Sequence, residues 1–174
     1  VTGVVANVVP IETGSGYLTT PTVTLSTNAT TNAVANIVGE DSASGGNINA
    51  KYISRRVTLE DGFDASDLKV ILNTYKPLGT DVHLYYKVKG ETDPVDFDTR
   101  EYVLMTQETP SSVYSGSEDD IKEFIYKTSG EETKYTSNNV NYDTFKTFSV
   151  KAVMTSNNVT IVPKVRDIRI IALD

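Results

Sequence analysis

Short runs in which apolar and polar residues alternate, separated by turn residues, make up most of this chain of 174 residues. The clearest run is residues 82–88, where Val82 and Leu84 alternate with His83 and Tyr85. A period of two is typical of a strand with one buried face, and apolar residues rarely recur here at helical spacing. Many short strands joined by polar loops therefore predict an all-β fold, specifically an antiparallel, jelly-roll-like β-sandwich.

A small, polar, glycine-containing segment at residues 41–47 separates two parts of different character. Such a composition is typical of a linker. The part that follows it carries longer alternating runs, most of the aromatic residues and most of the charge. The sequence thus predicts a small β-repeat module with its linker at residues 1–46, followed by a β-sandwich domain at residues 47–174.

The first part contains a Gly-Ser-Gly turn and an aromatic residue, followed by the strand-like run Pro-Thr-Val-Thr-Leu, all within residues 14–38. This pattern resembles the Gly-x-Gly-Tyr…Pro-Thr-Val-Thr repeats of tail fibre and other virion structural proteins of bacteriophages, and of some bacterial surface proteins. One copy of the unit is present. A unit of this size buries little surface alone, so we expect it to pack against neighbours.

The second part resembles domains of tail and baseplate proteins from large contractile-tailed phages, including those of marine cyanobacteria. The resemblance is carried by the run LKVILNTYKPLGTDVHLYYKV and by the ending FKTFSVKAVMTSNNVTIVPKVRDIRIIALD. It implies a structural component of a virion, assembled in the host cytoplasm, with other tail proteins as partners and a trimeric or six-fold homo-oligomer. These motifs are strand-and-turn patterns, so no functional residue is carried over from the family.

Other functions remain open beside this structural role. The chain could be a receptor-binding module of a tail fibre that recognises a host-surface polysaccharide, or a bacterial adhesin that shares the repeat. A hydrolase is disfavoured, because the sequence has no nucleophile-elbow motif, one histidine and no tryptophan to stack on sugar rings. We therefore expect a protein that is not an enzyme.

The composition excludes or disfavours several classes of partner and cofactor. The chain has no cysteine, which excludes thiolate metal sites and cysteine nucleophiles. Its formal net charge of −7 disfavours nucleic acid and anionic membranes as partners. Long apolar runs that could insert into a membrane are absent from the sequence.

One short loop carries three carboxylates, Asp93, Asp96 and Asp98. Hard cations bind several oxygen ligands on flexible loops, so this loop is a candidate calcium site. A second acidic loop holds Asp61, Asp64 and Asp67, although neither loop matches the twelve-residue EF-hand pattern. Apart from calcium, no cofactor is expected.

A row of aromatic and basic side chains is the candidate contact surface. His83, Tyr85 and Lys87 are predicted to point outward from one strand, with Tyr75 on the adjacent strand. Such a face could hold a glycan, pair across strands, or pack against a neighbouring chain. We expect these four residues to lie together on an exposed sheet face.

Overall fold

The computed structural model describes residues 38–128 and 134–174. The predicted β-repeat at residues 1–37 lies outside the described residues. The predicted linker at residues 41–47 is described in full, and residues 38–50 pack against the sandwich. Glu40 in this segment is 2% exposed.

The described residues contain eleven strands: β1 (Lys51–Ile53), β2 (Val57–Thr58), β3 (Asp67–Tyr75), β4 (Thr80–Lys89), β5 (Val103–Leu104), β6 (Thr106–Gln107), β7 (Lys122–Lys127), β8 (Tyr135–Ser137), β9 (Val140–Tyr142), β10 (Thr147–Ser156) and β11 (Lys164–Leu173). One 3-10 turn, Phe97–Thr99, is the sole helical element in this part of the chain. A helix is not expected, because the apolar residues follow a period of two.

Two antiparallel sheets form the fold. The first sheet has the order β1-β10-β4-β5, with β2 also paired to β10, and the second has the order β11-β3-β7-β6. Strands β8 and β9 form a separate hairpin. Both long ladders, β10 with β4 and β11 with β3, are antiparallel. The predicted all-β antiparallel sandwich is confirmed.

The core lies between the inward faces of the two sheets. Strand β3 alternates buried and half-buried residues along its full length, with Leu68, Val70 and Leu72 inside. Val150 of β10 and Phe124 of β7 belong to the same buried cluster. Each such side chain contributes about 1.5–3 kcal/mol when fully buried. Burial of the inward apolar residues, which the alternating pattern identifies, therefore holds the two sheets together.

The chain crosses from one sheet to the other between β3 and β4. Strand β3 belongs to the second sheet and β4 to the first, with the turn at residues 76–79 between them. Gly79 in this turn has φ = +87°, a conformation that favours glycine. Strands β3 and β4 therefore face each other across the core and do not pair side by side.

Candidate interaction surface

The outward row of β4 is covered by loops. Tyr85 is 0% exposed and Lys87 is also buried, although both side chains point away from the sandwich core. Tyr85, Tyr102 and Val153 form a second apolar cluster on this outer face, with Ile48 packed against it. The prediction that Tyr85 and Lys87 are exposed is therefore wrong, because residues 38–50 and the loop ending at Tyr102 cover the first sheet.

A buried lysine holds the covering segment in place. The Lys151 ammonium donates to the carbonyl oxygens of Glu40 and Gly45, the latter at 3.2 Å, and lies 3.4 Å from Glu40 Oε2. It also lies 4.5 Å from the ring centre of Tyr85 and 4.7 Å from that of Tyr102. Burial lowers the pKa of Lys151, and the Glu40 carboxylate opposes this effect. Lys151 is 0% exposed, so the cluster is an internal anchor and not a binding site.

The Glu40 carboxylate also links the two ends of this covering segment by hydrogen bonds. Its Oε1 accepts hydrogen bonds from the backbone N–H groups of Asn47 and Ile48, each at 2.8 Å. Lys51 Nζ donates to the carbonyl oxygen of Gly46 at 2.6 Å. A carboxylate bonded to backbone N–H groups and to an ammonium is well compensated for its burial. The segment is thus rigidly attached to the sheet.

Two glycines provide a matched test of this attachment. Gly46 has φ = +76°, and a Cβ there would lie 2.4 Å from the Glu40 carboxylate. Gly62 has φ = +87°, but a Cβ there would meet nothing within 4 Å. Backbone strain alone costs roughly 1–2 kcal/mol, so we expect Gly62→Ala to cost about that much. Gly46→Ala should cost about 3 kcal/mol or more, because it also displaces the buried carboxylate.

Urea unfolding of the two glycine variants measures this difference. Equal free energies of unfolding for the two variants would contradict the anchoring role of Glu40.

Lys87 is enclosed by aromatic rings on the same outer face. Its ammonium lies 5.0 Å from the ring centre of Phe97 and 4.7 Å from that of Tyr102. The guanidinium of Arg56 lies 5.7 Å from the Phe97 ring centre on the surface side. Burial lowers the pKa of Lys87. Tyr85 and Lys87, which were predicted to contact a partner, thus make their contacts within the chain.

His83 and Tyr75 complete the predicted row, and they lie on opposite sides of the sandwich. His83 is half-buried on β4, where burial lowers the pKa of its imidazole against the attraction of Asp81. Tyr75 is on β3 in the second sheet, with the Lys164 ammonium 5.9 Å from its ring centre. The prediction that Tyr75 shares a face with His83, Tyr85 and Lys87 is wrong, since β3 and β4 belong to different sheets.

The three carboxylates of the predicted calcium loop do not converge. Asp93 is buried and forms an ion pair with Arg100, and its Oδ1 accepts a hydrogen bond from Ser137 Oγ at 3.0 Å. Asp96 accepts from the backbone N–H of Asp98 at 3.0 Å and caps the 3-10 turn. Asp98 itself is exposed. Arg100 therefore supplies the positive charge that the prediction assigned to calcium, and this loop does not form the predicted site.

The second acidic loop is also spread out. Asp61 pairs with Lys146 at 2.8 Å, Asp67 pairs with Lys134 at 3.3 Å, and Asp64 is exposed. Across the described ranges, no group of three or more histidine, aspartate and glutamate residues is placed to hold a metal ion.

Other basic side chains repeat the pattern of internal pairing. Lys76 is buried and lies 3.3 Å from Asp81. Lys146 lies 2.8 Å from both Asp61 and Glu91, and these hydrogen bonds raise the pKa of its ammonium. Sequence reasoning missed these internal roles. The partners of Lys146 are 85 and 55 residues away in the sequence, and a lysine is usually solvated, even where, as for Lys76, its partner is close in the sequence.

An apolar cleft lies between one edge of the first sheet and one edge of the second. Strand β11 ends the second sheet, and β1 with β2 ends the first. A cleft of about 370 Å³ between these edges is lined mainly by apolar side chains, among them Tyr52, Met154, Val165 and Ile168. Ile171 of β11 is 40% exposed and Leu173 is 42% exposed. An exposed edge with apolar side chains is a surface suited to another strand.

The described residues form an antiparallel β-sandwich. No family model matches the chain, and no curated protein matches it significantly. Among solved structures, the chain is similar to the crystal structure of the infectious bursal disease virus VP2 subviral particle, with a TM-score of 0.30 and 9% sequence identity. The match covers 72% of this chain and 31% of the VP2 chain, so the chain spans less than a third of that protein's length. At this TM-score, the match carries no argument about function.

The described residues also include no helix that is long and apolar enough to cross a membrane.

Proposed function

We propose that this chain is a non-enzymatic structural module of a phage tail or baseplate that docks to neighbouring virion subunits. One observation carries the proposal: Tyr85, Lys87 and Asp93, which the sequence offered as contact or ligand residues, are buried in contacts within the chain. The outer edge of β11 has no partner strand among the described residues, and an apolar cleft lies beside it. The resemblance of both parts of the sequence to phage tail proteins supports the same function.

The internal pairing favours a rigid shape, which a structural module needs. Lys151 attaches the segment around Glu40 to the first sheet, and Arg100 attaches the loop that starts near Asp93 to the hairpin β8–β9. Breaking such buried pairs is costly, so the loops are fixed on the sheets. Loops held in this way present a constant surface to a neighbouring subunit.

The exposed edge gives the module a means of contact. An unpaired strand offers a row of backbone N–H and C=O groups, and proteins usually cover such an edge or block it with charge. Ile171 and Leu173 on β11 are exposed large apolar residues. This combination is typical of strand addition, in which a partner extends the sheet.

A glycan-binding role receives no support from the predicted aromatic row. Tyr85, its central aromatic residue, is 0% exposed, and Tyr75 lies on the other side of the sandwich. We therefore propose no second function.

Incorporation into particles tests the proposal. The pair Ile171→Lys and Leu173→Lys places charge on β11, and Val159→Lys is the control, since Val159 is 98% exposed and lies outside the strands. In phage particles that carry this gene product, antibody labelling of the wild-type chain should mark the tail or baseplate. We expect the double variant to stay in the soluble fraction and the Val159 variant to incorporate like the wild type.

Equal incorporation of all three chains would contradict docking through β11, and labelling away from the tail would contradict the structural role. A panel of bacterial surface polysaccharides, with reducing ends measured alongside, tests the non-enzymatic part of the proposal. New reducing ends would overturn it, and saturable binding without cleavage would favour a receptor-binding module.

A further inference from the structure

A polar pocket lies on the outer face of the first sheet, with a volume of about 310 Å³. Its floor is one row of residues on three adjacent strands, because Thr147 of β10 is opposed to Thr58 of β2 and to Lys89 of β4. Opposed residues point to the same side of a sheet, so these three side chains line the pocket together. Lys89 is separated from Tyr85 by an even number of residues on β4 and therefore shares its outward side.

Two connecting segments supply the rest of the lining. Arg56 lies in the short connection between β1 and β2. The loop after β4 contributes Pro94, Asp96 and Phe97. The guanidinium of Arg56 lies against the Phe97 ring, 5.7 Å from its centre. A guanidinium stacked on a ring keeps its N–H groups free at its edge, where they can bind an oxyanion through two hydrogen bonds.

The two cations of this pocket have no counter-ion in the described part of the chain. Arg56 and Lys89 form no ion pair there, in contrast to Lys146 beside the same row, which pairs with two carboxylates. Asp96 is the one acidic side chain in the lining, so two positive charges face one negative charge. In a chain with a formal net charge of −7, the pocket is thus a local excess of positive charge.

We propose that this pocket binds a phosphate group, through the Arg56 guanidinium, the Lys89 ammonium and one threonine hydroxyl. The oxygens of a tetrahedral oxyanion point in several directions, which suits donors that come from different strands and loops. The hydroxyl oxygens of Thr58 and Thr147 lie 3.4 Å apart, so one of them can donate to the other while the second proton stays available to a ligand. This inference goes beyond the proposed docking function and does not involve β11.

Asp96 favours phosphate over sulfate. Its Oδ1 accepts a hydrogen bond from the backbone N–H of Asp98 at 3.0 Å, and within the described ranges its Oδ2 has no hydrogen-bond donor. Inorganic phosphate keeps an O–H group at neutral pH and can donate it to a carboxylate, whereas sulfate is fully ionised and has no proton to donate. A carboxylate beside sulfate therefore adds repulsion without a compensating hydrogen bond. We expect the pocket to prefer phosphate.

Titration of the isotope-labelled full chain with potassium phosphate, followed by NMR at constant pH and ionic strength, tests the site. We expect the backbone amide signals of Thr58, Lys89 and Thr147 to shift saturably with phosphate and to change little with potassium sulfate. Glycerol phosphate is the second probe, with glycerol as its control. Tighter binding of glycerol phosphate than of inorganic phosphate would support a phosphomonoester as the ligand, and weaker binding would support the free ion.

Four variants assign the roles of the charged residues. Arg56→Gln and Lys89→Gln should each weaken phosphate binding about tenfold or more, which is the typical contribution of a hydrogen bond to a charged group. Arg55→Gln is the matched control and should bind like the wild type, since Arg55 is exposed and does not line the pocket. Asp96→Asn keeps an oxygen for the 3-10 turn but removes the charge, so sulfate should bind nearly as well as phosphate. Circular dichroism checks that each variant keeps the β-fold.

The phosphate site is overturned if the three amide signals do not shift saturably, or if sulfate shifts them equally in the wild-type chain. Equal loss of binding in the Arg55 and Arg56 variants also overturns it. An unchanged preference for phosphate in Asp96→Asn overturns the role of Asp96. Incorporation into particles tests the docking function separately, because Ile171 and Leu173 lie outside this pocket.

Discussion

Replacement of Lys151 by methionine is expected to destabilise the protein by about 3–5 kcal/mol. Methionine keeps much of the volume but removes the ammonium, which lies 3.4 Å from Glu40 Oε2, so the buried carboxylate would face an apolar group. The contacts of the ammonium with the rings of Tyr85 and Tyr102 are lost as well. Urea unfolding followed by circular dichroism measures the loss.

The matched control is Lys164→Met. Lys164 also forms an ion pair, at 2.9 Å from Glu118, but on the exposed surface, so we expect little change in the free energy of unfolding. A second variant separates charge from packing. Adding Glu40→Gln to Lys151→Met removes the unpaired carboxylate and should recover part of the loss. Equal effects of Lys151→Met and Lys164→Met would contradict the anchoring role of Lys151.

Replacement of Asp93 by asparagine is the second substitution with a large expected effect. The change leaves Arg100 without its buried carboxylate partner, and we expect a loss of about 3–5 kcal/mol. The guanidinium of Arg100 also lies 4.5 Å from the ring centre of Tyr135, which ties the loop to the hairpin β8–β9. The loss should therefore appear as a lower midpoint of thermal unfolding.

Asp98→Asn in the same loop is the control, and the two variants together distinguish an ion pair from a calcium site. Asp98 is exposed, so its substitution should leave the midpoint nearly unchanged. With Arg100 as the internal cation, EDTA and added calcium should not alter the midpoint of the wild type. A calcium-dependent midpoint that both substitutions abolish would restore the interpretation as a metal site.

The strands and the core could be predicted because they depend on local patterns. Alternation along residues 82–88 correctly assigned Val82 and Leu84 to the core face of β4. The same pattern predicted no long helix, and the described residues contain none. Alternation reports which side chains share a side of a strand, and this is sufficient to predict a sandwich.

The candidate site could not be predicted, because alternation does not report what covers a face. Tyr85 and Lys87 do point away from the core, as their positions in the pattern require, yet both are buried. Their cover comes from Glu40 and Tyr102, which are distant from them in the sequence. The close spacing of Asp93, Asp96 and Asp98 likewise predicted a shared site. In the structure, however, Asp93 forms an ion pair with Arg100.

By itself, the sequence determined the all-β class, the inward residues of β4 and the lack of cysteine chemistry. Tertiary structure alone decided that β3 and β4 lie in opposite sheets, that buried lysines hold loops over the first sheet, and that β11 keeps a free edge among the described strands. The physical reason is the range of the interactions. Strand formation follows from neighbouring residues, whereas coverage and ion pairing join residues such as Glu40 and Lys151, which only the folded chain brings together.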